Sequence, residues 1–295
     1  MADVFHEGEA TLQATAGSRE RLAEVGARVI RQEMPEQHRA FFAGLPFVVL
    51  AATGPGGQPH ATLLAGPPGL LTATDSRHLQ LARLPAPDDP LHTLLSPGAR
   101  FGLLGIEPHT RRRNRANGRV LAHGTDGLRL AVSQSFGNCP KYIQPRRAVF
   151  DPDWQPGAQA EQRRSLNDAE RAWIRGADTF FIATAHPSDD IDPAHGVDVS
   201  HRGGPPGFIH VEGDTLGIDD FAGNNYFNTL GNLLLNPQAG LVFADFAGGG
   251  LLQLNATAEI LPGPPRRLLL RVTHVTHRPA ALPLRWEAAP PTGET

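Results

Sequence analysis

Apolar and polar positions follow two patterns along this chain, and the same succession of patterns occurs twice. The first copy reads "MPEQHRAFFAGLPFVVLAAT" from Met34, and the second reads "LNDAERAWIRGADTFFIATA" from Leu166. In each copy, apolar residues three and four positions apart precede a continuous apolar run. This pattern predicts a short amphipathic helix followed by a strand that is buried on both faces.

Three further matches follow in the same order. A Gly-Pro-Pro-Gly turn occurs at Gly66 and again at Gly204, and "LLSPGARFGLL" aligns with "LLNPQAGLVFA" through Pro97 and Pro237. "NRANGRV" then aligns with "LNATAEI". Any one match would be weak in a chain with 32 glycines and 27 prolines, but the conserved order indicates an internal duplication.

The duplicated pattern predicts two domains of the same fold. Each copy reads as a helix, two strands, a turn, a strand, a helix and two further strands. Turn signals about every 8–12 residues are typical of small antiparallel barrels, so the predicted class is mainly β with short helices (α+β). The polar segment "DPDWQPGAQAEQRR" after Phe150 predicts a boundary there. This gives a helical lead-in over residues 1–29, a first domain over 30–150 and a second over 151–295.

Composition narrows the classes of function. A hydrophobic fraction of 40% with 19% charged residues is typical of globular proteins, and a net charge of −3 argues against nucleic-acid or anionic-membrane partners. Cys139 is the single cysteine, which excludes an intrachain disulfide and favours a reducing compartment. No apolar leader and no run near 18 apolar residues is present, so we expect a cytoplasmic protein.

The segment "DFAGNNYFNTLGNLLLNP" carries the strongest chemical signal. Asn224 or Asn225 can cap a helix that ends before Pro237. Polar side chains then gather on one face near the first turn, where unpaired backbone N–H groups favour an anion. These residues are Asn225, Asn228, Thr229 and Asn232. The alternative is a capped helix that packs on a barrel while its asparagines face water.

The strand "VDVSHRGG" favours the first interpretation. Alternation places Ser200 and Arg202 on one face and His201 on the other. A guanidinium beside a polar helix start could hold a phosphate, and Gly203 could leave backbone open to a flat ring. The first copy has no arginine before its Gly-Pro-Pro-Gly turn, and its Asp88 and Asp89 near the equivalent helix start would repel a phosphate. We therefore expect one ligand site, in the second copy.

These motifs resemble a known family. "DVSHRGGPPGF" and "GNNYFNTLGNLLLNP", preceded by "GNCPKYIQ", are similar to the pyridoxamine 5′-phosphate oxidase-like FMN-binding split-barrel proteins, in a bacterial branch with two such domains in one chain. The resemblance implies two tandem split β-barrels that form an intrachain pseudo-dimer, with FMN at their junction. It places Ser200, His201, Arg202 and Gly203 beside the flavin ring. Arginine and lysine, frequent at the family's phosphate-binding helix start, are missing from this one.

Several residues of the first copy could complete that site. Arg113 and Arg115 could reach the phosphate or an anionic substrate, or could lie on a solvated edge strand. Lys141 and Tyr142 resemble a family signature, although a structural turn would explain them too. The candidate cofactor-binding residues are Ser200, His201, Arg202, Gly203, Asn224, Asn225, Asn228, Thr229, Asn232, Arg113, Arg115, Lys141 and Tyr142.

The expected function is FMN-dependent oxidation or reduction of a small-molecule substrate, with an electron donor that the sequence does not identify. His201 and Lys141 are the only catalytic candidates. The alternatives are a deazaflavin cofactor, or a non-catalytic flavin, haem or deazaflavin carrier or sensor that uses the same cleft. No metal site is predicted, because the histidine pair in "HVTH" lacks further ligands. Further pairing of chains into a homodimer is left open.

Overall fold

The computed structural model describes residues 3–288, which are mainly β-structure with a few short helices. The helices are α1 (Glu7–Thr15), α2 (Arg19–Val29), α3 (Glu36–Ala43), α4 (Leu91–Leu94), α5 (Asp168–Gly176) and α6 (Asn228–Leu235). The strands of the first half are β1 (Phe47–Thr53), β2 (Pro59–Ala65), β3 (Leu71–Ala73), β4 (His78–Leu81), β5 (Arg100–Glu107), β6 (Arg112–Gly124), β7 (Gly127–Gly137) and β8 (Arg146–Phe150). Those of the second half are β9 (Glu161–Arg163), β10 (Thr179–Ala185), β11 (Val197–Gly203), β12 (Ile209–Glu212), β13 (Thr215–Asp219), β14 (Gln238–Ala244), β15 (Leu251–Leu261), β16 (Arg267–Arg278) and β17 (Leu284–Ala288).

Two antiparallel sheets have the same strand order. The first runs β2-β1-β5-β6-β7-β4-β3, and the second runs β11-β10-β14-β15-β16-β13-β12. The equivalent long strands β6 and β15 even share an irregularity, since the register shifts directly after Asn117 in one and after Asn255 in the other. Such bulges bend a strand and increase its twist.

The central strands β1 and β10 are buried on both faces, which explains their unbroken apolar sequences. Val48 and Leu50 pack into the core of the first sheet, whereas Val49 and Ala51 pack between the two sheets. In β10, Ile182 faces the core of the second sheet, while its neighbours on either side join the same inter-sheet cluster. We call this contact between the two sheets the seam.

Two equivalent glycines make the seam possible. Gly102 on β5 lies opposite Ala51, and Gly240 on β14 lies opposite Ala183. A Cβ atom on Gly102 would lie 2.5 Å from the carbonyl oxygen of Val197, and one on Gly240 would overlap the backbone of Pro59 in the same way. In each half, the missing side chain of this glycine lets a strand of the other half pack directly against the backbone.

The segment at the expected domain boundary does not run free. Strand β8 pairs with β17, so Phe150 lies opposite Leu284, and β9 adds to the edge of β16. Between them, the indole Nε1 of Trp154 donates a hydrogen bond to the carbonyl of Ala280, at 3.0 Å. The connection is thereby held against the end of the second half.

Helix α1 packs against the second half. Helix α1 crosses α6 at Gly8 and Gly231, where a Cβ atom on Gly231 would lie 2.6 Å from the backbone nitrogen of Glu9. The side-chain amide of Gln13 donates to the carbonyl of Tyr226 at 3.2 Å. No helix within residues 3–288 combines the length and apolar character that a membrane crossing requires.

Candidate functional site

A cavity of about 350 Å³ opens at one end of the seam and draws its walls from both halves. Of the thirteen residues that the sequence predicts as cofactor ligands, all except Asn232 line it. From the first half come Arg113, Arg115, Lys141 and Tyr142. From the second half come Ser200, His201, Arg202, Gly203, Asn224, Asn225, Asn228 and Thr229. Its volume lies at the lower end of the range for ligand pockets.

The start of α6 differs from the predicted cap. The expectation that Asn224 or Asn225 caps the helix is wrong, because the N-cap residue is Phe227, and no side chain bonds the first turn there. Asn225 and Phe227 both adopt left-handed backbone conformations, with φ near 60°. The turn that they create leaves the first backbone N–H groups of α6 unpaired by any side-chain cap, beside the cavity.

Arg115 supplies the cation at this helix start. Its guanidinium donates to the side-chain carbonyl of Asn228 at 3.0 Å, to Asp198 at 3.1 Å, and to the Ser200 hydroxyl. The Thr229 hydroxyl in turn donates to Ser200 at 3.0 Å. The arginine that the helix sequence lacks thus comes from β6 of the first half.

Asp198 lies beneath the cavity floor and balances the charge of Arg115. It accepts hydrogen bonds from Asn117 at 2.9 Å and from Asn232 at 3.1 Å. Asn232 therefore supports the buried carboxylate and does not reach the cavity, which corrects its expected role as a ligand. The pair is largely buried, with 6% of the Arg115 side chain and 12% of the Asp198 side chain exposed.

Arg113 fixes the protonation of His201. Its guanidinium lies 3.2 Å from Nδ1 of His201, and since arginine can only donate, Nδ1 accepts and the ring proton resides on Nε2. Burial and the neighbouring Arg113 hold the pKa of His201 well below its usual value. His201 is therefore a neutral hydrogen-bond donor at Nε2, and it is poorly suited to act as a general base.

A second group of charges faces the same cavity. Asp220 lies 3.5 Å from the guanidinium of Arg202 and 3.2 Å from that of Arg266. Within residues 3–288, the Arg202 guanidinium contacts Asp220 and no other acceptor, so its remaining donors stay available. Sequence reasoning did not identify Asp220 or Arg266 as site residues, because Arg266 reaches the cavity from the distant β15–β16 hairpin.

Three buried donors on the cavity wall have no hydrogen-bond partner in the part of the chain that the structure describes. They are Nε of Arg113, Nε of Arg115 and Nδ2 of Asn138. Buried polar groups are nearly always paired, so these three donors stand out among the side chains of the lining. Burial and the nearby Arg115 lower the pKa of Arg113 to about 10. The cavity therefore combines positive charge with unpaired hydrogen-bond donors.

The two glycines after Arg202 lie in close packing contacts. Gly203 lines the cavity, and a Cβ atom there would overlap the carbonyl oxygen of Tyr142. At Gly204 it would lie 2.7 Å from the ring of Phe208. Packing thus requires glycine at both positions, and contact of a flat ring with the backbone of Gly203 stays a prediction.

The loop that contains Cys139, Lys141 and Tyr142 closes one side of the cavity. The Tyr142 hydroxyl donates to the carbonyl of Ala222 at 3.1 Å, and its ring lies 5.2 Å from that of Phe221. Lys141 is exposed at the rim, and the Cys139 thiol is half-buried. Phe208 and Phe227 add apolar wall area, so a planar ring has aromatic surfaces to contact.

Outside the cavity, His6, Glu7 and His186 bring three potential metal ligands together. However, Nδ1 of His6 accepts from the backbone of Gly8 at 3.2 Å, and Nδ1 of His186 accepts from Ser188 at 3.1 Å. The proton of each ring therefore resides on Nε2. A metal ion bound at Nε2 would need the lone pair there, with the proton on Nδ1 instead. Nε2 of His186 lies 3.2 Å from the Glu7 carboxylate, whereas Nε2 of His6 has no hydrogen-bond partner within the described residues.

His6 predicts acid sensitivity. Burial lowers its pKa to about 4, below the value near 6.5 in the unfolded chain. The unfolded state therefore binds this proton first, so the stabilisation is complete above pH 6.5 and is lost as the pH falls towards 4. His6→Asn keeps a hydrogen-bond acceptor at the helix cap but cannot take up this proton. Between pH 7 and pH 4, the free energy of unfolding measured in urea should therefore fall by roughly 3 kcal/mol less in this variant than in the wild type. The matched variant His210→Asn, at an exposed position, should follow the wild type; a His6→Asn curve parallel to wild type would contradict the prediction.

No family model and no curated protein matches the chain. Among solved structures, it is similar to a protein from Lactobacillus delbrueckii provisionally named pyridoxamine 5′-phosphate oxidase, with 16% identity, coverage of 37% of this chain and 98% of that one, and a TM-score of 0.31. A FAD-binding protein from Mesorhizobium loti shows 12% identity over 41% of this chain and 99% of that one, with a TM-score of 0.29. HutZ, the haem storage protein of Vibrio cholerae, shows 14% identity, coverage of 36% and 85%, and a TM-score of 0.24. Identities and TM-scores this low assign no function to the chain.

Proposed function

We propose that the chain is an FMN-binding flavoprotein in which two tandem split barrels form a pseudo-dimer, with one FMN at the seam. The observation that carries this proposal is the convergence of Arg113, Arg115 and Arg202, from both halves, on one cavity. Asp198 and Asp220 compensate two of these charges, and Arg113 has no carboxylate within ion-pair distance in residues 3–288. Together with the unpaired buried donors, this arrangement suits a phosphate and a carbonyl-rich ring.

The residues present fit the two parts of FMN. Ser200, Asn228, Thr229 and Arg115 surround the start of α6 and offer hydroxyl, amide and guanidinium donors to a phosphate, as helix starts do in many nucleotide sites. Arg202 adds a guanidinium whose one partner within residues 3–288 is Asp220. The aromatic wall formed by Phe208, Phe221 and Tyr142 provides apolar surface for the ring.

Bound FMN would supply electron or hydride transfer to a small-molecule substrate, and the chain would supply binding, orientation and charge. Arg113 and Lys141 line the cavity and would offer positive charge to the negative charge of a reduced ring bound there. The Nε2–H of His201 can donate to a ring acceptor or a substrate, while the seam excludes water from one side. We propose an oxidoreductase on this basis, with Lys141 and His201 as the residues closest to a catalytic role.

Haem in the same cleft would need a side chain to bind its iron. His201 does not offer one, because Arg113 holds its proton on Nε2. Haem would therefore depend on another side chain of the lining, such as Cys139 or Tyr142, and identification of the released ligand decides between the cofactors. A carrier or sensor would bind the same flavin through the same residues. Only a measurement of catalytic turnover distinguishes such a protein from an enzyme.

The test is ligand identification followed by titration. Protein from a gentle purification should be yellow and should release FMN on denaturation, as identified by mass spectrometry. The apoprotein should bind FMN far more tightly than riboflavin, which lacks the phosphate. Equal affinities would contradict the phosphate site, and a released deazaflavin or haem would replace the proposed cofactor. Rapid reoxidation of photoreduced protein by a screened acceptor would favour catalysis over storage.

Arg202→Ala should weaken FMN binding about 10- to 100-fold, because one charge-assisted hydrogen bond contributes about 1.5–3 kcal/mol. The measurement is quenching of flavin fluorescence in a titration of the apoprotein. Arg111→Ala is the matched control, since Arg111 belongs to the same basic run as the site arginines but is exposed and lies away from the cavity. Similar affinities for both variants would show that Arg202 does not contact the bound FMN.

A further inference from the structure

The seam contains a second cluster that is equivalent to the start of α6 but belongs to the other sheet. Leu50 lies opposite both Thr62 and Leu103, as Ile182 lies opposite both Ser200 and Leu241. In the same register, Gln253 on β15 takes the place that Arg115 takes on β6. The chain before α4 completes this cluster with Asp89, as Thr229 at the start of α6 completes the other.

Asp89 is buried, and donors of four kinds converge on its carboxylate. One oxygen accepts from the Thr62 hydroxyl at 2.6 Å, from the Gln253 amide at 3.2 Å and from the Arg278 guanidinium at 2.7 Å. The other oxygen accepts from the backbone nitrogen of Leu91, at the start of α4, at 2.9 Å. The hydroxyl, the amide and the guanidinium, which come from three separate strands, together form the donor set of an oxyanion site.

The two clusters differ in where their carboxylate comes from. In the first, Asp89, which precedes α4, pairs with Arg278, and the strand position equivalent to Arg115 is the neutral Gln253. In the second, Arg115 pairs with Asp198 on β11, and the start of α6 contributes the neutral Thr229. The chain before the helix thus places a carboxylate in the first cluster, whereas the start of α6 places none in the second.

We propose that the seam holds a second site for a small oxyanion, a carboxylate or phosphate group, and that the Asp89 side chain is its resident ligand in cis. The consequence for stoichiometry, one FMN per chain, rests on the proposed function; the oxyanion site itself does not. The sequence suggested that Asp88 and Asp89 repel a phosphate. The structure instead shows Asp89 in the place that an anion would take.

Helix capping alone does not account for this arrangement. A cap requires only the contact to Leu91, and α4 has a single turn. The three further donors all meet the other carboxylate oxygen, and Arg278 has 10% of its side chain exposed. Its Nε atom has no hydrogen-bond partner within the described residues.

The test is chemical rescue of Asp89→Gly, which removes the carboxylate and leaves room for an external anion. Thermal unfolding is measured in acetate, in phosphate and in chloride at equal ionic strength. Acetate at about ten times its Kd should raise the Tm of Asp89→Gly by roughly 3 °C relative to chloride, in a saturable manner, and should leave the wild type unchanged. An equal response of the variant and the wild type would overturn the proposal.

Two controls separate a built site from general salt effects. Asp88→Gly removes a carboxylate that pairs with the same Arg278 but is 43% exposed, and it should show no rescue. Asp89→Gly/Arg278→Gln lacks the guanidinium and should lose the rescue; rescue of equal size there would also overturn the proposal. If Asp89→Gly does not fold in chloride, refolding yields in acetate and chloride give the same comparison.

FMN titration of the wild type measures the number of FMN molecules per chain separately. One FMN per chain agrees with a single open site, whereas two per chain would contradict a second site occupied by Asp89. A chain that binds no FMN but shows acetate rescue in Asp89→Gly would refute the proposed function and leave the oxyanion site standing.

Discussion

Arg115→Ala is expected to abolish FMN retention and to lower the free energy of unfolding by about 3–5 kcal/mol, the usual cost of removing one partner of a buried ion pair. The cost is large because Asp198 would stay buried without its cation. The FMN loss follows because Arg115 connects Ser200 and Asn228 at the start of α6. Urea unfolding gives the first quantity, and flavin fluorescence in an apoprotein titration gives the second.

A double variant separates the two effects. Arg115→Met/Asp198→Asn removes both charges and keeps amide and apolar groups of similar size, so most of the stability should return. FMN binding should stay lost, since the guanidinium is still absent. Recovery of FMN binding in the double variant would show that Arg115 acts only by holding the fold, and it would remove Arg115 from the proposed phosphate site.

The local patterns in the sequence predicted the elements that local physics determines. Strands β1 and β10 are apolar on both faces because one face packs into a sheet core and the other into the seam, and their unbroken apolar sequences indicated burial of this kind. Alternation also separated the face of Ser200 from that of His201, as the contacts of Arg115 and of Phe181 show.

The position of Arg202 could not be predicted from alternation alone. The pattern placed it on the same face as Ser200, and the sequence suggested that it lies beside the helix start. In the structure Arg115 hydrogen-bonds there, and Arg202 lies against Asp220, on the side of Arg266. Which arginine meets a helix start depends on how two sheets dock, and no single segment contains that information.

Close backbone contacts between segments that are far apart in the sequence could not be predicted from the sequence either. Gly203 suggested open backbone for a ligand ring, but the carbonyl of Tyr142 fills the space that a side chain would need. Glu9 shows the same limit, since charged side chains are rarely buried. Its carboxylate is in fact buried, and this burial raises its pKa well above the usual value, although Asn228 donates a hydrogen bond to it.

The contact of α1 with α6 is the basis of the second large effect. Gly8→Ala should destabilise the fold by on the order of 3 kcal/mol, because the new methyl group would overlap the backbone carbonyl of Gly231, which cannot rotate away as a side chain can. Helix α1 must then shift, and Glu9 loses its position against Asn228 at the cavity. We expect FMN affinity to fall about tenfold, the equivalent of one well-placed hydrogen bond.

Gly176→Ala is the matched control, because Gly176 is the last residue of α5 and a Cβ atom there meets nothing within 4 Å. Alanine favours helix over glycine, so this variant should equal or slightly exceed the wild type in urea unfolding and should bind FMN normally. A Gly8→Ala protein as stable as Gly176→Ala would mean that α1 does not cross α6 at these glycines in solution. A destabilised Gly8→Ala protein that keeps full FMN affinity would instead separate the helix contact from the cavity, and Asn228 would then need no support from Glu9.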